Sequence, residues 1–151
     1  MSAEPDPREL RARDFPVLLP MTTRWSDNDV FGHLNNAVYY ELFDSAINRW
    51  VGEAAGSDPT ALPAMGVVAE SGCRYLGEVR YPQDVRVGLA VARLGTSSVT
   101  YRLGLFAGDD DAPAAVGRWV HVYVDRSSRR PVPLPPAVRS ALERLQEGGA
   151  S

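Results

Sequence analysis

A dense polar segment lies between residues 27 and 36, where six side chains able to exchange protons or hydrogen-bond occur within ten positions. They are Asp27, Asn28, Asp29, His33, Asn35 and Asn36. Turns and helix N-caps also prefer Asp and Asn, so a purely structural role is the alternative interpretation. A carboxylate four residues before a histidine can instead activate water or attack a carbonyl carbon. A helix that begins here would supply unpaired backbone N–H groups for a developing oxyanion.

These groups are sufficient for hydrolysis of an acyl thioester. A thiolate leaves without a strong acid, so no Ser-His-Asp triad is required, and the sequence has no Gly-x-Ser-x-Gly elbow. The backbone amides of Phe31 and Gly32 are candidate oxyanion donors, because a glycine lets a substrate carbonyl approach the chain closely. Asp27 competes with Asp29 as the reactive carboxylate, and its alternative role is to fix the turn.

The elements that must position these residues are one long helix and five strands. We expect the helix to start after Asn35 or Asn36 and to run to about Val51, buried over most of its circumference. Its broad apolar face contains Tyr39, Tyr40, Phe43, Ala46, Ile47 and Trp50. The strands are predicted at Phe15–Trp25, Val67–Leu76, Asp84–Leu94, Ser98–Ala107 and Ala114–Asp125, and a short last helix at Ala137–Leu145.

The last predicted strand has apolar or aromatic residues on both faces. We therefore expect one sheet face to pack on the helix and the other on a partner chain. Residues 15–146 should form a single domain, preceded by a flexible leader (1–14) and followed by a flexible tail (147–151).

The composition excludes several classes of protein. A net charge of −3 and the lack of a basic stripe argue against nucleic-acid binding. No apolar run is long enough to cross a membrane and the N-terminus does not resemble a secretory signal, so we expect a soluble cytoplasmic protein. Cys73 is the single cysteine, and we interpret it as a small buried residue in a strand. His33 and His121 form no ligand motif, so we expect neither a metal nor a cofactor.

The segment Trp25–Tyr39 (WSDNDVFGHLNNAVY) resembles the signature of the 4-hydroxybenzoyl-CoA thioesterase-like branch of hotdog-fold proteins. It is also similar to the Asp…His-Val-Asn-Asn segment of plant acyl-ACP thioesterases. The stretches CRYL (73–76), GTSSV (95–99) and RPVPLP (130–135) are typical of the same group. The resemblance covers residues 16–145 and implies an α+β hotdog fold, in which a five-stranded antiparallel sheet wraps around one long helix. It also implies a homodimer or homotetramer with active sites at the subunit interface.

The resemblance assigns roles to residues of this sequence. Asp29 falls on the family's catalytic carboxylate, a general base or a nucleophile. His33 and Glu78 match active-site positions of the acyl-ACP branch, whereas Phe31 replaces an asparagine of that branch, so its network is incomplete here. The implied substrate is an acyl-CoA, with an acyl carrier protein thioester second. We expect part of the segment around Glu70 to Glu78 to reach the site from the partner chain.

Further residues are candidates for substrate contact. The acyl tunnel should follow the apolar face of the helix, at Tyr40, Phe43 and Ile47. Arg74, Arg93 and Ser97 are candidate phosphate contacts, although Arg74 could equally pair with Glu70.

Two other functions are compatible with the same fold, because a fold does not determine an activity. The chain could bind an acyl thioester without hydrolysing it. It could also be an acyl-thioester dehydratase, although the usual His/Asp placement of those enzymes is not found here. The sequence leaves open the acyl group and the choice between an anhydride and base-assisted attack of water.

Overall fold

The computed structural model describes residues 4–56 and 58–146, within which it has five strands and two α-helices. In chain order they are β1 (Val17–Met21), α1 (Asn36–Ala55), β2 (Ala64–Tyr75), β3 (Val85–Leu94), β4 (Ser98–Ala107), β5 (Ala115–Asp125) and α2 (Pro136–Glu143). The strands form one antiparallel sheet in the order β1-β3-β4-β5-β2. The predicted α+β class and five-stranded antiparallel sheet are confirmed. No helix in the described part of the chain is long and apolar enough to span a membrane.

Helix α1 packs its apolar face on the inner face of the sheet. Asn35 caps its start, and Gly56, with φ of 68°, ends it four residues beyond the predicted end at Val51. Phe43 packs closely on β5 because Gly117 has no side chain. A Cβ at that position would be 2.7 Å from Phe43 Cε2. The glycine therefore brings the helix and the sheet into close contact.

Strand β5 presents its aromatic residues to the helix. Trp119, His121 and Tyr123 are buried on the inner face, whereas Val120 and Val122 on the outer face are half-buried. Val124, at the end of the same outer face, is buried. Within one chain the inner face of this strand is therefore buried, and the outer face is buried only in part.

Strand β2 is an edge strand that pairs only with β5 in the single chain. It is exposed on both faces: Val67 and Val68, on opposite faces, are 36% and 49% exposed. The register shifts between Val68 and Glu70, as at a β-bulge. Beyond this bulge, the residues that share the inner face are Ser71, Cys73 and Tyr75, which pair with Trp119, Gly117 and Ala115.

The segment before β1 lies on the outer face of the sheet. Leu10, Ala12 and Phe15 are buried there in a small cluster with Ala90 and Phe106. Phe15 occupies the space over two glycines that pair across β3 and β4. A Cβ at Gly88 would be 2.6 Å from Phe15 Cγ, and one at Gly104 would be 3.0 Å from Phe15 Cζ. Residues 4–14 thus include packed side chains in the region expected to be a flexible leader, while the tail expected at 147–151 lies outside the described residues.

Candidate active site

The polar segment begins with an anchored turn at Asp27. This carboxylate is buried, 2% exposed, and accepts hydrogen bonds from the backbone N, Nε and Nη2 of Arg24 at 2.7, 3.0 and 2.8 Å. Its backbone oxygen accepts a hydrogen bond from Asn35 N–H at 2.9 Å. Since every one of these contacts ties the loop to itself or to α1, Asp27 has the structural role that the sequence suggested.

The same segment is fastened to the chain that leads into β3. Asn28 Oδ1 accepts a hydrogen bond from Tyr81 N–H at 3.0 Å, and Leu34 N–H donates to Val79 O at 2.7 Å. Leu34 is almost fully buried. The residues between these two attachments therefore form a small loop with fixed ends.

Asp29 lies in this loop and organises a tight turn. Its Oδ1 accepts a hydrogen bond from Phe31 N–H at 2.9 Å, and its backbone oxygen accepts one from Gly32 N–H at 3.1 Å. Gly32 has φ of 86°, a conformation that favours glycine. The carboxylate is half-exposed. In the described residues its Oδ2 has no hydrogen-bond partner, so this oxygen is open to water or substrate.

The turn changes the expected role of two amides. Phe31 and Gly32 were candidate oxyanion donors, but in the structure their N–H groups bond to Asp29 itself. An aspartate commonly captures the N–H two residues on in this way. As the loop stands, these amides are not available to a substrate oxygen.

His33 and Glu78 are brought together by the structure. His33 Nε2 lies 3.8 Å from Glu78 Oε1, and Glu78 Oε2 lies 4.0 Å from Arg80 Nη2. The backbone oxygen of His33 accepts a hydrogen bond from Asp29 N–H at 3.0 Å, which places this pair next to the Asp29 turn. Glu78 contacts His33 of the same chain, so the partner subunit that we expected to supply it is not needed for this contact.

The start of α1 supplies a different amide. The N–H groups of Ala37 and Val38 donate to Asn35, to Oδ1 and the backbone oxygen respectively, each at 2.9 Å. For Asn36 N–H, the first residue of the helix, no acceptor is present among the described residues. An unpaired N–H in the first turn, at the positive end of the helix, is suited to an anionic oxygen.

Tyr75 is a site residue that the sequence did not single out, although it lies within the CRYL stretch. Its hydroxyl donates a hydrogen bond to Asn36 O at 3.1 Å, and its ring packs edge-on against Tyr39 at 4.9 Å between centroids. Partial burial and the neighbouring Cys73 raise the pKa of Tyr75 to about 12. The hydroxyl therefore remains a donor across the physiological range.

Cys73 shares this inner face but is not an activated thiol. Burial raises its pKa to about 11, so the thiolate that a nucleophile needs is scarce at neutral pH. Cys73 lies in a strand as predicted, but it is half-buried and not fully buried.

The predicted acyl-contacting residues follow α1 away from the loop. The ring of Tyr40, which is half-buried, lies 5.2 Å from Trp119, and the fully buried Phe43 lies 5.7 Å from the same ring. Ile47 lines a cavity of about 230 Å³ together with His121. Phe43 is closed off by its contact with the sheet, whereas Tyr40 and Ile47 border open space.

The three predicted phosphate contacts are scattered in the single chain. Arg74 lies on the outer face of β2, where it lines a cavity of about 340 Å³ beneath the N-terminal segment. Glu70, its suggested partner, pairs with Arg118 instead. Arg93 and Ser97 lie at the β3–β4 turn. The Asp29 loop is attached near the start of β3, so the length of that strand, about 30 Å, separates the two places. Within one chain they do not form a common site with Arg74.

The chain is similar to proteins of one group. A family model described as the thioesterase-like superfamily matches residues 23–142. The crystal structure of the PA5185 protein from Pseudomonas aeruginosa strain PAO1 is 43% identical, with a TM-score of 0.89 over 92% of this chain and 97% of that one. A thioesterase from Thermus thermophilus, crystallised with coenzyme A and Zn, is 30% identical, with a TM-score of 0.73 over 87% and 95%. YsmA of Bacillus subtilis (strain 168) is 27% identical over 123 residues, 78% of this chain and 79% of that one.

Proposed function

This chain belongs to the thioesterase-like superfamily of hotdog proteins, and from that premise we propose that it hydrolyses an acyl-CoA thioester with Asp29 as the catalytic carboxylate. The observation that supports this most is the Asp29 turn. It lies between two fixed attachments, next to the start of α1, and leaves Oδ2 without a protein partner among residues 4–56 and 58–146.

Asp29 can act in either of two ways. As a general base, its carboxylate takes a proton from water while the water oxygen bonds to the thioester carbon. As a nucleophile, it forms a mixed anhydride that water then hydrolyses. In both routes the C–S bond breaks, one water is consumed, and the products are a carboxylic acid and a thiol.

The start of α1 supplies the oxyanion donor in this proposal. Asn36 N–H faces no acceptor in the described chain, and Tyr75 holds the carbonyl of the same residue through a 3.1 Å hydrogen bond. A donor that is already oriented stabilises charge in the transition state at little reorganisation cost. His33, supported by Glu78, extends the polar wall next to Asp29 and can orient the attacking water.

The substrate carrier in the proposal is coenzyme A, with an acyl carrier protein second. The crystallised complex of the Thermus thermophilus relative with coenzyme A supports this choice. We also propose a homodimer formed through β2, because this 12-residue strand pairs with β5 on one side only, and its free edge offers backbone groups to a second copy. A homotetramer would add a second interface to this one.

The experiment is thiol release from a panel of acyl-CoAs, from acetyl to palmitoyl plus benzoyl and phenylacetyl, with wild type and Asp29→Asn side by side. We expect kcat/KM of the variant to fall by about 100-fold or more with folding unchanged in circular dichroism. Asp109→Asn, an exposed carboxylate in the β4–β5 turn, is the matched control and should keep full activity.

Two results would contradict the proposal. Asp29→Asn with wild-type kcat/KM would remove Asp29 from the mechanism. Tight binding of acyl-CoA without turnover would identify a protein that binds the thioester and does not hydrolyse it.

A further inference from the structure

Three arginines lie on the outer face of the sheet, one on each of three neighbouring strands. They are Arg74 on β2, Arg118 on β5 and Arg102 on β4. Arg118 precedes the inward-facing Trp119 and therefore points outward, and Arg102 pairs with Arg118 on the same face. All three arginines line the cavity of about 340 Å³ between the sheet and the N-terminal segment, residues 4–14.

Arg102 and Arg118 are directly opposite one another in the antiparallel pair of β4 and β5. Opposed residues have Cβ atoms about 5 Å apart, so two like charges at such a pair destabilise the sheet. The Arg102 side chain is also mostly buried, with 12% of its surface exposed. A cation removed from water in this way needs negative charge close to it. An anion between the two guanidinium groups would meet both requirements.

The carboxylates that the described chain supplies lie at the margin of this cluster. Glu4 Oε1 is 3.9 Å from Arg102 Nη2, and Glu70 Oε1 contacts Arg118 Nη1. The Glu4 side chain is 70% exposed. Among the described residues that line the cavity, three arginines face one glutamate. The wall of the cavity therefore carries a net positive charge.

The cavity has room for a small molecule with an apolar part. Gly72 pairs with Arg118, and a Cβ built on this glycine would meet no atom within 4 Å, so the space beside the guanidinium is open. Pro5, Leu10 and Val116 give the cavity apolar walls. A concave site with apolar walls and a few converging charged groups is the usual form of a small-molecule site.

Glu4 indicates which kind of anion fits the cluster. Its carboxylate is the negative group nearest to Arg102 on the cavity wall. A guanidinium binds a carboxylate through two parallel N–H···O hydrogen bonds. Because an exposed ion pair contributes little to stability, an external carboxylate can replace that of Glu4 at little cost. The apolar walls favour an organic acid over a bare inorganic anion.

We propose that the outer face of the sheet binds a small organic acid, with its carboxylate between Arg102 and Arg118 in place of Glu4 and its apolar part against the N-terminal segment. Arg74, considered from the sequence as a contact for a substrate phosphate, adds positive charge to this site. Helix α1 packs on the inner face, so the sheet lies between the bound acid and the helix that carries the proposed oxyanion donor. The inference goes beyond the proposed thioesterase activity and does not depend on it.

The test is an NMR titration of the full chain with hexanoate and with phenylacetate, followed through the backbone amide signals. We expect the signals of Gly72, Arg102 and Arg118 to shift and to reach saturation. Hexanamide and phenylacetamide, the uncharged counterparts, should leave these signals unchanged. Arg102→Gln should weaken binding by about tenfold or more, because charge-assisted hydrogen bonds are lost. Arg118→Gln removes an exposed side chain and should weaken binding severalfold, which keeps the test valid if the Arg102 variant does not fold.

Glu4→Gln separates a ligand site from an arginine cluster that only holds the N-terminal segment. It removes the competing carboxylate, so the affinity for hexanoate should rise severalfold. Arg144→Gln is the matched control for the loss of one positive charge. Arg144 is exposed at the end of α2, which packs against α1, and its variant should bind hexanoate as wild type does.

Several results would overturn the assignment. The absence of shifts on the outer face would exclude the site, and shifts confined to the Asp29 loop would place the acid at the proposed catalytic site. Equal binding of acid and amide, or tighter binding of inorganic phosphate than of either acid, would contradict recognition of an organic carboxylate. An unchanged or weaker affinity in Glu4→Gln would show that Glu4 does not occupy the carboxylate position. None of these measurements requires turnover, so they are independent of whether Asp29 proves catalytic.

Discussion

At the scale of single residues, two aspartates two positions apart have opposite surroundings. Asp27 is buried and its carboxylate is occupied by Arg24, whereas Asp29 is half-exposed and keeps one oxygen open. The first therefore holds the loop in shape, and the second is available to react. This division explains why one short acidic segment can serve folding and chemistry together.

The buried histidine gives a pH-dependence with a defined sign. Burial among Tyr101, Tyr123 and α1 lowers the pKa of His121 below its ordinary value of 6.5, with Asp44 opposing. The unfolded chain then binds a proton more readily than the folded one, so stability is complete above about pH 6.5 and is lost as the pH falls below it. We expect His121→Gln to lose less unfolding free energy than wild type between pH 7 and pH 5, measured by urea denaturation.

His33 serves as the internal control for that measurement. It is present in both proteins, so its contribution cancels in the difference between wild type and variant. If wild type and His121→Gln lose the same amount of unfolding free energy between pH 7 and pH 5, the folded state does not resist protonation of His121.

The residues of the site were predictable to different degrees. The spacing of the polar segment indicated Asp29, and the family resemblance favoured it over Asp27. Glu78 was predicted from the resemblance alone. The hydrogen bond from Phe31 N–H to Asp29 Oδ1 was not predictable, because it depends on the dihedral angles of one turn. The separation of Arg74 from Arg93 depends on the positions and directions of β2 and β3 in the sheet, which local sequence patterns do not determine.

At the scale of elements, the proposed mechanism places the oxyanion donor at the N-terminus of α1, beside the cap that stabilises the helix. Asn35 caps the helix through Ala37 N–H, and the next residue carries the proposed oxyanion donor. We expect Asn35→Ala to lower the unfolding free energy by about 1 kcal/mol in chemical denaturation, because an N-cap side chain is lost. We also expect kcat to fall severalfold, since the first turn of the helix frays.

Asn35→Asp is the control for the cap, because aspartate caps a helix equally well. It should retain the wild-type unfolding free energy. A full loss of stability in both variants would show that the amide of Asn35 has another role in the loop.

The helices and strands were predicted from hydrophobic periodicity, but their first and last residues were not. Strand β4 was predicted at Ser98–Ala107, the range that the structure has. Strand β1 is shorter than the predicted Phe15–Trp25, because Phe15 turns to the outer-face cluster and residues 25–27 form a 3-10 turn. Strand β2 starts three residues earlier than predicted, at Ala64, because pairing with Asp125 extends it. Tertiary packing determines where these strands begin and end, and the local sequence pattern carries no information about that packing.

At the scale of the whole molecule, β2 leaves a long unpaired edge. We expect Val68→Lys to shift the protein from dimer toward monomer in sedimentation velocity, because a charge on an edge strand opposes pairing with a second copy. Val68 is 49% exposed in the single chain, so the substitution should have little effect on the fold of each subunit.

Thr96→Lys is the matched control for assembly. Thr96 is exposed and lies in the turn between β3 and β4, neither of which pairs with β2. It should leave the sedimentation coefficient unchanged. A monomeric wild type, or a Val68→Lys protein that sediments as wild type does, would rule out association through this strand.

The ring of Phe15 over Gly88 and Gly104 links three positions that are far apart in the sequence. Since a Cβ at Gly88 would lie 2.6 Å from that ring, the glycine cannot be exchanged while Phe15 is present without a shift of the backbone or the ring. In evolutionary terms the three positions should vary together. Relatives with a small residue in place of Phe15 can acquire side chains at the two glycines, and relatives with an aromatic residue there should retain both glycines.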